Sequence, residues 1–245
     1  MTKVAELRDL HRPGVPLVLP NAWDARSARL VAAAGLPAVA TSSAAVAGSL
    51  GYRDGEDTPP GEMFAATARI VAAVDVPVTA DVERGYGLAP VELVERLIAT
   101  GAAGCNLEDS DPRTGTLLDA DRQSSFLADV RAAARTSGAD LVINARIDTY
   151  LAGTGEPAAR LAETIRRARR YHEAGADCVY PILMNDERDI TDLIAAIDVP
   201  VNILAGRSRT VAELARLGVA RVSFGPSLYD ATGAHLAELI GAIER

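Results

Sequence analysis

Three short apolar runs in this chain end in charge. One closes on Asp81-Val82-Glu83, the next on Asn106-Leu107-Glu108-Asp109, and the next on Asn144-Ala145-Arg146. Residues i and i+2 of a strand face the same way, so strand ends of this kind aim Asp81 and Glu83 into one space and put Glu108 on the Asn106 face. Three acids and an arginine in one space repel or pair unless a cation sits among the acids. A hard oxygen set with few protein ligands suits Mg²⁺, with Mn²⁺ as a substitute, because Mg²⁺ keeps several of its waters. Solvated strand-end charges forming ion pairs would leave the same pattern in the sequence. A fourth run ends Thr41-Ser42-Ser43-Ala44-Ala45, where hydroxyls and backbone N–H groups suit a carboxylate or enolate oxygen, or simply a tight turn into a helix. The Gly-rich, acidic stretch from Gly48 to Asp57 has the composition of a mobile lid or a solvated loop.

These residues need a frame that gathers strand ends. Helix-like segments ending at Gly, each followed by an apolar run, recur as AAAGLPAVATSS, ATGAAGCNLED, TSGADLVINAR, EAGADCVYPIL and RLGVARVSFG. AVDVPVTADVE and AIDVPVNIL enter their runs through Pro, and VPLVLPNAW opens the series, giving eight runs centred near residues 18, 40, 79, 107, 143, 180, 202 and 222. Each Gly suits a helix C-terminus in the left-handed conformation. The near-continuous Val, Ile, Leu and Ala of the runs suit parallel strands buried on both faces. Between them, ELVERLIATG and LAETIRRARRYHEAG carry apolar residues at helical spacing, and Pro90 and Pro157 are placed near helix starts. Eight strand–helix alternations predict an α/β chain forming a single (β/α)8 barrel over 1–245, with its site at the C-terminal ends of the strands. No glycine-rich dinucleotide or phosphate loop follows the first run.

The totals agree. Hydrophobic residues make up 49% and charged residues 24%, with a net charge of -8. An acidic chain without a basic run is a poor ligand for nucleic acid or an anionic membrane. The N-terminal segment has no apolar core of a signal peptide, and residues 30–50 are too interrupted by Gly, Pro, Ser and Thr to span a bilayer, so a cytoplasmic location is expected. Cys105 and Cys178 fall in apolar runs and are expected as free buried thiols. Asp24 is placed to cap a helix, Trp23 to pack, and His11, His172 and His235 lie away from the strand ends.

LPNAWDARSARLVAAAGLPAVATSSAAVAGSLGYRDGE, VPVTADVERGYG, GAAGCNLEDS, INARIDTYL, AGADCVYP, PVNIL and LGVARVSFGP together resemble the isocitrate lyase/phosphoenolpyruvate mutase superfamily, most closely its short, carboxyvinyl-carboxyphosphonate phosphorylmutase-like branch. The resemblance spans nearly the whole chain. It implies Asp81 as the direct metal ligand, with Glu83, Glu108 and Asp54 holding the ion largely through water. It implies Ser42, with the N–H groups of Ser43 and Ala44, as the substrate cradle, Arg146 as the group that neutralises substrate charge, and Asn202 of PVNIL as a further binding residue. The implied chemistry is Mg²⁺-dependent cleavage of a C–C or C–P bond in a small 2-oxo acid or phosphonate, leaving an enolate. A lyase, a hydrolase or a mutase would all use it.

Three departures separate the chain from its relatives. The segment Ser110 to Asp119 lacks the Cys, His, Lys or Asn that relatives carry on this loop, Ala40 stands in place of a Trp, and Ile182 in place of a His or Glu. A silent 2-oxo-acid-binding barrel and an aldol-type transferase therefore stand beside the lyase reading. Within the loop, Arg113 is placed to clamp a distal anionic group in bidentate fashion, or to sit in a solvated turn. Relatives assemble by exchanging a C-terminal helix; here one helix, Ser227 to Glu244, is expected after the last strand, and a homo-oligomer is expected with it.

Overall fold

A computed structural model describes residues 2–153, 155–206 and 209–243. The five glycines that close helices ahead of apolar runs, Gly35, Gly101, Gly138, Gly175 and Gly218, all have φ between 73 and 103°. At Gly175 a second constraint applies, because a Cβ there would lie 2.7 Å from Cγ of Arg131. Only glycine serves both demands.

The order of elements is α1 (Lys3–Asp9), β1 (Leu17–Leu19), β2 (Asn21–Ala22), α2 (Ala25–Ala33), β3 (Val39–Thr41), α3 (Ser43–Leu50), α4 (Pro60–Val71), β4 (Val78–Asp81), α5 (Pro90–Thr100), β5 (Gly104–Glu108), α6 (Ala120–Thr136), β6 (Val142–Ile147), α7 (Thr149–Ala152), α8 (Pro157–Glu173), β7 (Cys178–Pro181), α9 (Glu187–Ala196), β8 (Asn202–Leu204), α10 (Val211–Arg216), β9 (Arg221–Ser223) and α11 (Ser227–Gly241). The strands are parallel throughout, in the orders β2-β3-β4-β5-β6-β7 and β1-β9-β8. One apolar run joins the two sheets: Leu17–Leu19 pairs with β9 and Asn21–Ala22 with β3. At the other seam, a parallel bridge pairs Val179 with Val201, and the Val179 N–H donates to Pro200 at 3.0 Å. With both seams joined, the eight predicted strands form the closed (β/α)8 barrel.

Local signals behave as expected. Asp24 caps α2 in a reciprocal box with Ser27, and Pro90 and Pro157 open α5 and α8. Trp23 packs edge-on against Tyr229, and both cysteines are free and buried. Burial pushes each thiol up to about 12, which keeps it protonated. Among the described residues, no helix is long and apolar enough to cross a membrane. The expected last helix is present as α11 from Ser227 to Gly241; Glu244 lies outside the described residues. No residue of α11 is buried, and Leu236, Leu239 and Ile240 face outward.

Candidate active site

Strand register brings the predicted groups to one end of the barrel. Asp81 pairs with Asn106, and Asn106 with Asn144; one pleat further along, Glu108 pairs with Arg146 and Arg146 with Tyr180. Asp81 is the last residue of β4. Its N–H donates to Thr41 Oγ1 at 2.8 Å, and its Oδ2 accepts from Ser43 N at 3.1 Å and Ser43 Oγ at 3.0 Å. Its Oδ1 is buried with no hydrogen-bond partner.

Glu83 reaches the site by another route than strand alternation. β4 ends at Asp81, and Glu83 sits beyond it with φ at 49°, an uncommon backbone state for a residue with a side chain. Its carboxylate accepts from Gly55 N at 2.9 Å, Glu56 N at 2.6 Å and the Tyr86 hydroxyl at 2.8 Å. Burial, opposed by the Tyr86 hydrogen bond and reinforced by the charges of Asp54 and Asp81, pushes Glu83 up to about 7. Asp54 is likewise raised, first by burial and then by Asp81, against a hydrogen bond with Ser43. The Gly48–Asp57 lid needs correction at its start, since residues 48–50 complete α3, and the loop beyond is tied to Glu83 through Gly55 and Glu56.

Arg146 lies between two acids. Nη1 is 2.5 Å from Glu108 Oε2, Nε is 2.7 Å from Asp148 Oδ1, and Nη2 is 3.0 Å from Asp148 Oδ2. Burial works against its charge, but Glu108 and Asp148 outweigh it and raise the guanidinium above its ordinary value. Burial raises Glu108 well above its ordinary value, with Arg146 opposing. Asp148 is fully buried and also accepts from the Ser110 hydroxyl.

The remaining predicted groups are placed differently. Ser42 Oγ accepts from Ala45 N at 3.4 Å as the N-cap of α3, and the Ser43 N–H is taken by Asp81, so two members of the expected cradle already hold protein partners. Asn202 is wholly buried inside the barrel, where its Oδ1 accepts from Ser223 Oγ at 3.3 Å. The 110–119 segment folds back through a Ser110–Leu117 bridge, and Asp119 caps α6. Pro112 packs near Gly55, while the Arg113 side chain is 83% exposed and 3.3 Å from Asp111.

Among the described residues, no three of His, Cys, Asp or Glu meet at ligand distance. The donor chemistry nevertheless fits Mg²⁺. Asp81 offers a buried, unpartnered carboxylate oxygen, and Asp54, Glu83 and Glu108 have carboxyl groups that burial and mutual charge raise in proton affinity. A hard cation relieves that strain where a proton otherwise would.

The sequence profile described as phosphoenolpyruvate phosphomutase matches residues 7–244. The chain belongs to the phosphoenolpyruvate mutase family. A crystal structure from Burkholderia cenocepacia J2315, provisionally described as a phosphonomutase, superposes with a TM-score of 0.93 at 44% identity, covering 98% of this chain and 99% of that one. An uncharacterised Mycobacterium tuberculosis protein is 37% identical over 95% of this chain and 87% of its own length. Phosphonopyruvate hydrolase in complex with oxalate and Mg²⁺ has a TM-score of 0.87 at 25% identity, covering 98% of this chain and 86% of that one. The relatives and structural neighbours include mutases, lyases and hydrolases, and this kinship supports an enzyme of the same kind.

Four groups in or behind the site were given no role from the sequence. Asp148 stands at i+2 from Arg146, so strand alternation held its signal. Tyr86, from the GYG stretch, and Glu56, which accepts from Tyr86 N at 2.6 Å, are joined to the site by chain folding alone. Asp109 carries no such signal. It turns outward from the barrel to Arg167 and Tyr171 of α8.

Proposed function

We propose that the chain is a Mg²⁺-dependent lyase or hydrolase of a small 2-oxo acid, cleaving the bond next to the methylene carbon to leave an enolate; a C–P mutase is its in-family variant. The unpartnered, buried Oδ1 of Asp81 among raised carboxyls carries this reading. Asp81 would hold the ion directly, with Glu83, Glu108 and Asp54 around it. When bound, Mg²⁺ supplies Lewis-acid polarisation of the oxo group, and Mn²⁺ would serve the same role.

The chain's own residues supply the rest. The Glu108–Arg146 contact is the resting pair, and substrate charge would compete with Glu108 for Nη1. Asp148 keeps the guanidinium in place meanwhile, through two hydrogen bonds of 2.7 and 3.0 Å. Stabilisation of developing negative charge by one such group is worth about 10²–10³ in rate. Ser42, Ser43 and Ala44 line the entry to α3, and they would take the substrate carboxylate once Asp81 turns to the ion and releases the Ser43 N–H. Asn202 supports the interior from β8. Arg113, on a loop packed near the 51–57 loop, would clamp a distal anionic group, and the leaving group takes its proton from water or another loop, because a guanidinium does not readily give one.

A silent 2-oxo-acid-binding barrel is the second reading, favoured by one observation: Arg146 is already held by two carboxylates. Calorimetry with oxalate and Mg²⁺ tests the site. Asp81→Ala should abolish metal-dependent oxalate binding, and unchanged binding in that variant refutes the assignment. Single-turnover assays on a panel of substituted 2-oxo acids then separate enzyme from binding protein.

A further inference from the structure

Arg221, on β9, is wholly buried inside the barrel. One hydrogen bond accounts for its side chain, from Nη2 to Asn106 Oδ1 at 3.1 Å, while Nε and Nη1 have no partner. No acidic side chain among the described residues lies within ion-pair distance of it. Polar atoms left unpartnered also occur on the strands around it: Asn202 Nδ2 on β8, Asn144 Oδ1 on β6 and Thr79 Oγ1 on β4. A buried charge without a counter-ion is among the costlier features a core can carry, and apolar replacements of buried charges are often neutral or stabilising.

The placement of Arg221 indicates what the charge is for. Its one acceptor, Asn106, is paired in register with Asp81 and also receives the Asn144 amide at 2.9 Å. Arg221 opens β9, and its guanidinium reaches inward to the side chain of Asn106, the residue level with Asp81. Of the groups whose charge would act on it, the Cys105 and Cys178 thiols stay protonated and carry none, whereas the Asp81 carboxylate does. A fixed positive charge behind a cation site weakens the cation and strengthens any anion bound with it.

We propose that Arg221 is a positioning residue that sets the balance between metal and substrate at Asp81, holding Mg²⁺ loosely by itself and firmly only with the anionic 2-oxo acid. This rests on the function proposed above. It also gives the costly burial a purpose, because the enzyme then loads metal and substrate together instead of retaining a tightly bound ion.

Calorimetric titration of the wild type, Arg221→Met, Arg221→Gln and Arg221→Lys decides it, with Mg²⁺ alone and then with oxalate at saturating Mg²⁺. Both neutral variants should bind Mg²⁺ more tightly and oxalate more weakly, each on the order of tenfold, the scale of one charge acting across a protein interior. Arg221→Lys, which keeps the charge, should stay near the wild type. A merely structural role predicts losses in both titrations, or in neither. Affinities that move together, affinities that do not move, or neutral variants that fail to fold by circular dichroism would each overturn the proposal. Failure of the wild type to bind Mg²⁺ would instead remove the proposed function, and this proposal with it.

Discussion

Asp109 is the place where the site is anchored to the outer ring of helices, and its removal has a calculable cost. The side chain is wholly buried. It accepts from Asp148 N at 2.8 Å, Arg167 Nη1 at 2.8 Å and the Tyr171 hydroxyl at 2.7 Å. Asp109→Asn keeps the shape and one carbonyl oxygen, which can still serve Asp148 N. Its amide nitrogen, however, then faces two donors, and the buried Arg167 guanidinium keeps only Glu163 as an acidic partner. Breaking one side of a buried ion pair costs about 3–5 kcal/mol, because the surviving charge stays desolvated. A chain of this size loses about 2–4 °C in Tm per kcal/mol, so Tm should fall by roughly 10 °C. Urea unfolding followed by circular dichroism should show the midpoint moving with little change in slope. A loss within about 0.5 kcal/mol of zero, the range of surface substitutions, would refute the claim that this cluster is a buried, mutually dependent unit.

Two further outcomes follow from groups outside the site. Burial, reinforced by the Arg221 charge, lowers His11 from 6.5 to about 4, so the folded state disfavours its protonation; its contribution is complete above 6.5 and is lost as pH falls from 6.5 towards 4. The total is about 3 kcal/mol at about 1.4 kcal/mol per unit, and His11→Gln should flatten that part of the stability–pH curve; a variant that falls as steeply as the wild type would disprove it. The outward-facing Leu236, Leu239 and Ile240 of α11 support a homo-oligomer, and light scattering that gives a monomer mass at micromolar concentration would rule it out.

The barrel was legible in the sequence because its parallel strands are buried on both faces and read as apolar runs, and because its helices end on glycines with positive φ. Asp81, Glu108 and Arg146 were legible for a related reason: they end strands, where alternation fixes direction. Glu83 comes near Asp54 and Asp81, but not by the strand alternation expected of it. Its strand stops two residues earlier, and the N–H groups of Gly55 and Glu56, far upstream in the chain, hold its carboxylate. Contacts of that kind have no period and leave no trace in a local pattern. Arg167 was hidden differently, because an arginine in a charged helix such as α8 looks solvated, whereas here it is buried against Asp109.

These hidden contacts form one connected path. From α8, Arg167 and Tyr171 fix Asp109; Asp109 fixes the backbone of Asp148; Asp148 grips Arg146; and Arg146 holds Glu108. Every link is a charge or a charge-assisted hydrogen bond in a largely buried setting, where such bonds are strong and their loss is costly. A barrel core of small aliphatic side chains would hold the strands without this path. What it could not do is set the direction of a guanidinium at the strand ends, since alternation decides only which side of the sheet a residue faces. The path fixes Arg146 from behind through Asp148 and leaves its Nη1 contact with Glu108 as the link that can change partners. The proposed chemistry would use that arrangement, with one edge of the guanidinium held fixed while the other meets the charge of the substrate.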